Sequence, residues 1–552
     1  MRTPFSLLSA LAALFPTILA GVITQRSYAT EPCTASGVRC YDFAVRNVTL
    51  APDGFARQML TINGQYPGPL IEAYTGDIVR VRVTNELNVP TGLHWHGMFM
   101  KGVPWLDGVP GQTQCPIPPG GEYTYEFKID GQWGTYWWHS HYMSQYVDGL
   151  LGPFIVHNTL EEPYLGLYDE EYTVMLSDWY HTYSTVLLEY YISPASEGNE
   201  PIPDNGLING LNSFNCSLAP SGSTCTPNSP KASFSFVEGK RYRLRIINTS
   251  AFSVFTFSID NHTMTVIEAD GTDVHPVQVN SLPINVAQRY SVIVNANQQP
   301  AEYFMRAELE TSCYPVLAPQ LEAVVQGTIL YVGAKAGLVS TGVTGGSENV
   351  TECQDFDPKL LKPFYAEDAP VPNQQVTLNV VFQTDALGVN RAYINNNTYT
   401  PDFAHPTLLD VWSNQTSYYK NQYTIEIESE QVVEIVINNY DTGEHPFHFH
   451  GHHFYILGFG NGTYDAQADA KTLNLINPIR RDTSTIPALG WTVIRYVANN
   501  PGVWAFHCHI EWHVEVGLVV QFIEIPSQIQ TLPLPQTALD LCAFNYTRKA
   551  VY

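Results

Sequence analysis

Charged residues are scarce in this chain of 552 residues, at 14% of the total, and basic residues are the scarcer kind. Lys and Arg number 27 against 52 Asp and Glu, which gives a formal net charge of −25. Such a surface repels phosphate backbones, so we expect no nucleic-acid partner. The composition of a disordered chain is also missing, because 44% of the residues are hydrophobic and 12% are aromatic.

A long apolar run of membrane-spanning length is missing as well. Arg2 precedes the apolar residues 7–15, and residues 17–20 resemble a cleavage stretch, so we interpret residues 1–20 as a secretory signal peptide. The run is too short for a membrane anchor, and Pro16 interrupts it. The C-terminus has no comparable run. We therefore expect a secreted, extracellular protein without a membrane anchor, and nine Asn-x-Ser/Thr sequons agree with a glycoprotein.

The cysteine count is odd. In an oxidising compartment, eight of the nine cysteines would pair into four disulfides and leave one over. Cys508 is our candidate for the free thiol, because it lies between His507 and His509. A thiol between two imidazoles indicates a metal ligand rather than half of a disulfide.

Amphipathic helical patterns are few, whereas alternating runs such as 78–83 and 432–437 end at Gly, Pro or Asn. These runs predict an all-β chain of sandwich or barrel architecture. The pattern of residues 76–85 returns at 239–248 and 430–439, which indicates three homologous β-domains. We predict a signal peptide at 1–20 and domains at 21–160, 161–345 and 346–552.

The histidines are concentrated in the outer two domains. Eight of the 17 form four His-x-His pairs: His94/His96, His139/His141, His448/His450 and His507/His509. Residues i and i+2 of a strand face the same side, so each pair presents two imidazoles together. One such pair is more often a half-buried structural feature. Four pairs in two copies of one domain instead predict a site for several metal ions.

Cys508 adds a second kind of site. Its sulfur would point away from the rings of its two neighbours, and a thiolate with two imidazoles is the ligand set of a blue-copper site. Redox use of these ligands favours copper over zinc. His445 and His513 are the candidate imidazoles, and Leu518 takes the axial position where a methionine would donate weakly. Leu518 could equally be a core residue, and losing the thioether should raise the reduction potential.

Four segments, 94–97, 138–141, 445–452 and 507–513, resemble the copper-binding signatures of multicopper oxidases, and the likeness to fungal laccase-like members covers essentially the whole mature chain. The resemblance implies three cupredoxin-like Greek-key domains, β-sandwiches or barrels, and four copper ions. His445, Cys508 and His513 would then hold the type 1 copper. Type 2 copper would be held by His94 and His448. The type 3 pair would take His96, His139, His141, His450, His507 and His509.

The same resemblance implies a reaction. A reducing substrate would give single electrons to the type 1 copper, and O2 would be reduced to water with four electrons and four protons. Asp107 and Glu511 match the family's proton-carrying carboxylates, although either could be a turn residue or a solvated acid. A copper store would not need a thiolate that is joined covalently to cluster ligands.

The resemblance also bears on the disulfides. Multicopper oxidases of this kind tie a C-terminal cysteine to the first domain, which implies Cys115–Cys542. We further expect the pairs Cys216–Cys225 and Cys313–Cys353.

The reducing substrate is open between two classes. Our first expectation is a monomeric, laccase-like phenol oxidase, although the acid that laccases place in the second domain aligns with Phe252. The alternative is a ferroxidase, because Glu200 and Asp441 match carboxylates that bind Fe(II) in fungal iron-uptake relatives, next to His513 and His445. A third acid of that set is lost near Pro315, and the relatives' membrane tail is absent. Ascorbate oxidase comes third, because its axial residue is normally methionine.

Overall fold

The structure is a computed structural model that describes residues 36–316, 320–335, 337–339, 353–415, 421–544 and 546. The predicted signal peptide lies outside these residues. The described chain is built from strands with a few short helices, so the all-β prediction is confirmed. Its helices are α1 (Ser184–Tyr191), α2 (Thr407–Trp412), α3 (Glu511–Glu515), α4 (Pro526–Ile529) and α5 (Gln536–Asp540).

The strands form three consecutive pairs of sheets, which we name the first, second and third sheet pairs. The first comprises β1 (Val38–Leu50), β2 (Arg57–Ile62), β3 (Ile71–Tyr74), β4 (Ile78–Asn85), β5 (Leu93–His96), β6 (Glu122–Lys128), β7 (Gly134–Ser140) and β8 (Leu151–His157). It has two four-stranded sheets, ordered β2-β1-β4-β6 and β3-β8-β7-β5.

The second sheet pair comprises β9 (Glu170–Trp179), β10 (Asn205–Ile208), β11 (Ser233–Phe236), β12 (Arg241–Asn248), β13 (Phe255–Ile259), β14 (Met264–Ala269), β15 (Thr272–Val279), β16 (Ser281–Ile284), β17 (Arg289–Asn295), β18 (Glu302–Leu309) and β19 (Val324–Tyr331). Its sheets have six and five strands, ordered β10-β9-β12-β17-β14-β15 and β11-β19-β18-β13-β16.

The third sheet pair comprises β20 (Gln374–Thr384), β21 (Asn390–Ile394), β22 (Thr424–Ile427), β23 (Gln431–Asn439), β24 (His445–Phe449), β25 (Phe454–Asn461), β26 (Arg480–Arg481), β27 (Thr483–Ile486), β28 (Gly490–Ala498), β29 (Gly502–Cys508) and β30 (Val519–Glu524). Its sheets, of six and five strands, are ordered β21-β20-β23-β28-β25-β26 and β22-β30-β29-β24-β27.

The internal repeat falls on equivalent strands. β4, β12 and β23 each pair in parallel with the first strand of their own sheet pair, namely β1, β9 and β20. On the other side each has an antiparallel neighbour, β6, β17 or β28. Most apolar side chains of these strands are buried in one large core, while Val436, Trp491 and Val493 belong to a smaller separate cluster. The residue boundaries proposed for the domains remain predictions.

Three disulfides join described residues, and all three expected pairings are confirmed: Cys115–Cys542, Cys216–Cys225 and Cys313–Cys353. Cys40 is also disulfide-bonded. Among the described cysteines only Cys508 is free, and it is buried. In the described part of the chain we find no helix with the length and apolarity needed to cross a bilayer.

A buried carboxylate links the first and second sheet pairs. Glu268 accepts hydrogen bonds from Arg243 Nη2 at 2.6 Å and from the Thr135 backbone N–H at 2.7 Å. Burial alone would raise the pKa of Glu268, but Arg243 and Arg245 lower that pKa to about 2. The ionised carboxylate therefore stabilises the folded state.

We predict that Glu268→Gln lowers the free energy of unfolding by about 3 kcal/mol at neutral pH, because it removes one of the two anions that pair with each of the buried Arg243 and Arg245. The folded-state pKa is depressed, so this stabilisation is present above the ordinary pKa of 4.5 and is lost as the pH falls towards 2. Thermal unfolding of both proteins at several pH values measures the difference. Glu86→Gln, at the exposed Arg46–Glu86 pair, is the matched control and should leave stability nearly unchanged, because solvent screens exposed ion pairs. A Glu268→Gln effect that does not shrink in acid would contradict this account.

Candidate metal centre

A thiol and two imidazoles meet at one edge of the third sheet pair. His445 begins β24, Cys508 ends the neighbouring antiparallel strand β29, and His513 lies on α3. Cys508 Sγ lies 3.4 Å from His513 Nδ1 and 3.8 Å from His445 Nδ1. All three side chains are buried.

The ring nitrogens of this group show that it fits a cation. His513 Nε2 lies 3.0 Å from Glu200 Oε1, and His445 Nε2 lies 3.5 Å from Asp441 Oδ2. Because carboxylates accept hydrogen bonds, His513 Nε2 is a donor, and His445 Nε2 faces the Asp441 carboxylate without a hydrogen bond to it. When both rings are neutral and carry the proton on Nε2, the two Nδ1 atoms present lone pairs to each other across 3.1 Å. Burial alone would lower the pKa of both rings, but without a metal the neighbouring thiol and carboxylates raise that pKa, to about 10 for His513. Two facing lone pairs beside a sulfur are stable with a cation between them.

The protonation of the thiol favours a metal as well. Burial alone would raise the pKa of Cys508, but His513 and His445 lower that pKa to about 7. The thiolate is the form that binds metals. A soft thiolate with two imidazoles suits copper.

A second group lies between the first and third sheet pairs, where the four His-x-His pairs converge. Residues of β5 and β7 face each other in the register His94 with His139, and residues of β24 and β29 in the register His448 with His507. Rings from the two sheet pairs then stack on each other. The centroids are 3.7 Å apart for His96 and His448, and 4.0 Å apart for His94 and His450.

Backbone carbonyls fix the direction in which these rings point. The Nδ1 atoms of four histidines lie 2.8–2.9 Å from carbonyl oxygens: His94 from Asp107, His139 from Ser140, His448 from Asp482 and His507 from Cys508. Carbonyls only accept, so each Nδ1 carries the proton and each Nε2 offers a lone pair. Outer contacts of this kind orient metal-binding histidines.

The inward nitrogens fit metal ions. His94, His139 and His448 each have an Nε2 atom that is buried without a hydrogen-bond partner among the described residues. His450 Nδ1 donates to Asp107 Oδ2, so its Nε2 lone pair faces that of His507 at 3.1 Å. Burial lowers the pKa of His507 to about 4 and those of its neighbours well below the ordinary value of 6.5. The imidazoles are therefore neutral, and their Nε2 lone pairs are available to bind a metal ion.

Both predicted relay carboxylates lie beside this histidine cluster. Asp107 is fully buried, with Oδ1 3.2 Å from His94 Nδ1 and Oδ2 2.8 Å from His450 Nδ1. Glu511 begins α3 and is 6% exposed. It lines a cavity of about 990 Å³ whose wall also includes His139, His141 and His507. The cavity offers small molecules a space next to the cluster.

Leu518 lies beside the thiol group. Its carbonyl accepts from Cys508 N at 3.2 Å, and its N–H donates to the His513 carbonyl at 2.9 Å. The side chain is fully buried. An axial position for Leu518 remains a prediction that this placement supports.

Sequence reasoning missed three residues at these sites. Phe382 stacks on His445 at 9° with centroids 5.4 Å apart. Asp482 and Arg289, both fully buried, lie against the histidine cluster from the third and second sheet pairs. The only available signal was the unusual charge pair Arg481-Asp482 in a chain poor in charge.

Comparisons with known proteins agree on one family. Sequence models described as multicopper oxidase match residues 44–161, 170–330 and 383–528. "Oxidoreductase OpS5" of Beauveria bassiana is 38% identical over 90% of this chain and 83% of its own. "Iron transport multicopper oxidase fio1" of Schizosaccharomyces pombe is 37% identical over 92% and 79%. The crystal structure of the laccase from Botrytis aclada is 35% identical, with a TM-score of 0.83, over 92% and 91%.

We predict that Cys508→Ser abolishes the intense blue absorption of the copper-loaded protein while copper at the histidine cluster stays bound. Cys508 is the single sulfur among the proposed ligands, and the cluster rings are held by their own carbonyl contacts. Absorption spectra and a copper count per chain measure both effects. A variant that stays blue, or that loses all its copper, would contradict the assignment.

Proposed function

Since the chain belongs to the multicopper oxidase family, which binds copper and uses O2, we propose that it is a secreted, laccase-like oxidase of phenolic substrates. Bound copper would supply one-electron oxidation of the substrate at the site of His445, Cys508 and His513. It would supply four-electron reduction of O2 to water at the histidine cluster. In this proposal His445, Cys508 and His513 hold the type 1 ion and His94 and His448 the type 2 ion. The type 3 pair is held by His96, His139, His141, His450, His507 and His509.

The strand geometry supports electron transfer between the two sites. Cys508 shares its backbone with His507 and His509, whose rings turn to the histidine cluster while the sulfur turns to His445 and His513. Alternation at the end of β29 turns His507 and Cys508 to opposite faces, and His509 lies in the bend that follows the strand. With copper bound at both sites, electrons would have a short covalent path from one to the other.

The observation that carries the phenol proposal is the contact of Glu200 with His513. Phe252, at the position where laccases place an acid, is buried against Tyr314 and accepts no proton. Glu200 comes from the second sheet-pair region and reaches His513 Nε2 at 3.0 Å, with 16% of its side chain exposed. A phenol loses a proton when it gives up an electron, and Glu200 is placed to accept it.

A second candidate function, Fe(II) oxidation, is favoured by the neighbouring acid. Asp441 lies at His445 Nε2, so the outer edges of both imidazoles end on carboxylates. Burial alone would raise the pKa of Asp441, but His445 lowers that pKa to about 2, so the group is ionised. Paired carboxylates are hard oxygen ligands that suit Fe(II).

Secretion, glycosylation and a monomeric state are parts of the proposal that rest on the sequence. The relay roles of Asp107 and Glu511 are supported by their places beside the histidine cluster. Both would carry protons from the cavity to the site of O2 reduction.

We predict that Leu518→Met lowers the reduction potential of the type 1 site, because thioether donation favours oxidised copper. Turnover of weakly reducing phenols should fall with the potential. Redox titration of the blue absorption measures the shift, and copper content serves as the control. An unchanged potential would mean that the side chain of residue 518 does not face the metal.

The two substrate classes are separated by single variants of the two acids. In the phenol proposal, Glu200→Gln lowers kcat/KM for a diphenol by about tenfold or more through the lost proton acceptor, and Asp441→Asn has a small effect. If Fe(II) is the substrate, each variant loses a charged contact that is worth about 1.5–3 kcal/mol, so each lowers Fe(II) turnover at least about tenfold.

Glu197→Gln is the matched control, since Glu197 is an exposed acid three residues from Glu200. The type 1 potential of each variant shows whether a rate change has an electronic origin. If all three variants change the turnover of both substrates equally, the acids act only through general surface electrostatics. Collapse of Fe(II) turnover alone, from a wild-type value above that for diphenols, would make the protein a ferroxidase.

A further inference from the structure

A buried ion pair between the second and third sheet pairs lies next to the histidine cluster. Asp482, between β26 and β27, accepts two hydrogen bonds from Arg289 of β17, Nη1 to Oδ1 and Nη2 to Oδ2, both at 2.6 Å. Both side chains are fully buried. Paired N–H groups on a carboxylate fix its orientation as well as its position.

Asp482 in turn orients rings of the cluster. Its carbonyl oxygen accepts from His448 Nδ1 at 2.8 Å, and its Oδ1 lies 3.4 Å from His96 Nε2. The Thr483 hydroxyl donates to the same Oδ1 at 2.9 Å and lies 3.3 Å from His448 Nδ1. A movement of Asp482 would therefore turn the rings of His96 and His448.

Arg289 is fixed by more than one contact. Its Nε donates at 3.0 Å to the carbonyl of Thr135, on the strand that carries His139. Asp270 Oδ1 accepts from the Arg289 backbone N–H, while Asp270 Oδ2 accepts from Arg481, the residue before Asp482. The arginine thus contacts all three sheet pairs at one point.

The backbone next to His96 is fitted to this pair. Gly97 has φ +89°, and a Cβ atom there would lie 2.8 Å from Asp482 Oδ2 and 2.9 Å from Arg289 Nη2. Both values are too short for a real side chain. The chain that positions His96 therefore packs directly on the charged pair, and glycine is required for that approach.

We infer that Arg289 is a positioning residue for the histidine cluster: through Asp482 it sets the rings of His96 and His448 so that copper binds there. This inference rests on the proposed copper assignment. It gives the second sheet pair, which supplies none of the proposed copper ligands, a role in metal binding. Arg289 itself does not touch the metal ligands' inward nitrogens and acts through Asp482.

The molecule contains a matched control for a purely structural role. Arg243 is also a fully buried arginine of the second sheet pair that donates at 2.6 Å to a buried carboxylate, Glu268. That pair contacts Thr135 and Ser291 but none of the ten proposed histidine ligands. Breaking either pair should cost stability, and only the Arg289 pair should alter the cluster.

The experiment compares copper-loaded wild type with Arg289→Met, Arg289→Lys, Asp482→Asn and Arg243→Met. Competition with a copper chelator measures the affinity of the histidine cluster, electron paramagnetic resonance measures the type 2 geometry, and blue absorbance per chain reports the type 1 site. Arg289→Met and Asp482→Asn should lower cluster affinity about 10–100-fold and change the resonance spectrum while the blue absorbance is retained. Arg289→Lys should fail to rescue, because an ammonium group lacks the planar fork that holds both carboxylate oxygens.

Arg243→Met should lower the thermal midpoint without changing cluster affinity. If Arg289→Met does not fold, Arg289→Lys and Asp482→Asn, which conserve charge or size, carry the test. Wild-type affinity and spectrum in those variants would overturn the inference, and so would equal losses in Arg243→Met. Wild-type protein that takes up no copper at the cluster would instead refute the proposed function.

Discussion

The arrangement depends on imidazole lone pairs that are buried facing one another. In the histidine cluster the outer nitrogens of His450 and His507 are bound to a carboxylate and a carbonyl, so their inner nitrogens meet as lone pairs at 3.1 Å. The Nδ1 atoms of His445 and His513 meet at the same distance beside Cys508. Such nitrogens repel one another in a dry interior unless a cation lies between them. The surrounding strands must therefore resist that repulsion until the metal is bound. A large apolar core and buried ion pairs such as Arg289–Asp482 surround these rings.

The short segment 507–509 contributes residues to both sites, because successive side chains of a strand point to opposite faces. In residues 507–509 the middle side chain points to one face and its neighbours to the other. The sulfur of Cys508 therefore lies with His445 and His513, and the two rings lie in the histidine cluster. No additional element is needed to link the two. The same feature places the thiol near the partly exposed acids Glu200 and Asp441, the proposed substrate edge, and leaves the cluster inside.

The second sheet pair supplies none of the proposed ligands, yet it contacts both outer sheet pairs. Glu200, Glu268 and Arg289 all come from this part of the chain, and each reaches an outer sheet pair. One acid lies at the proposed substrate edge, one anchors the first sheet pair and the arginine braces the cluster. Buried charges of this kind are costly to place and are stable only with their partners. The middle repeat thus contacts the proposed sites through its charged side chains, although it supplies none of the proposed ligands.

The sequence alone determined the β-class, the internal repeat, the free cysteine and the residues that form the two groups. Those features are local or periodic: the alternation of β4 and the His-x-His spacing of His507 and His509 need no knowledge of the rest of the chain. The family resemblance added the Cys115–Cys542 pairing, which joins residues 427 positions apart. The resemblance also suggested Asp107, Glu511, Glu200 and Asp441, but only the tertiary structure revealed Asp482 with its arginine and the distances of the other acids from the rings. Glu200 reaches His513 across 313 positions and Arg289 reaches Asp482 across 193, because packing of separate sheet pairs brings them together. Nothing in the neighbouring sequence distinguishes such an acid from the rest of the 52 Asp and Glu residues. These contacts are therefore determined by packing and cannot be predicted from the local pattern.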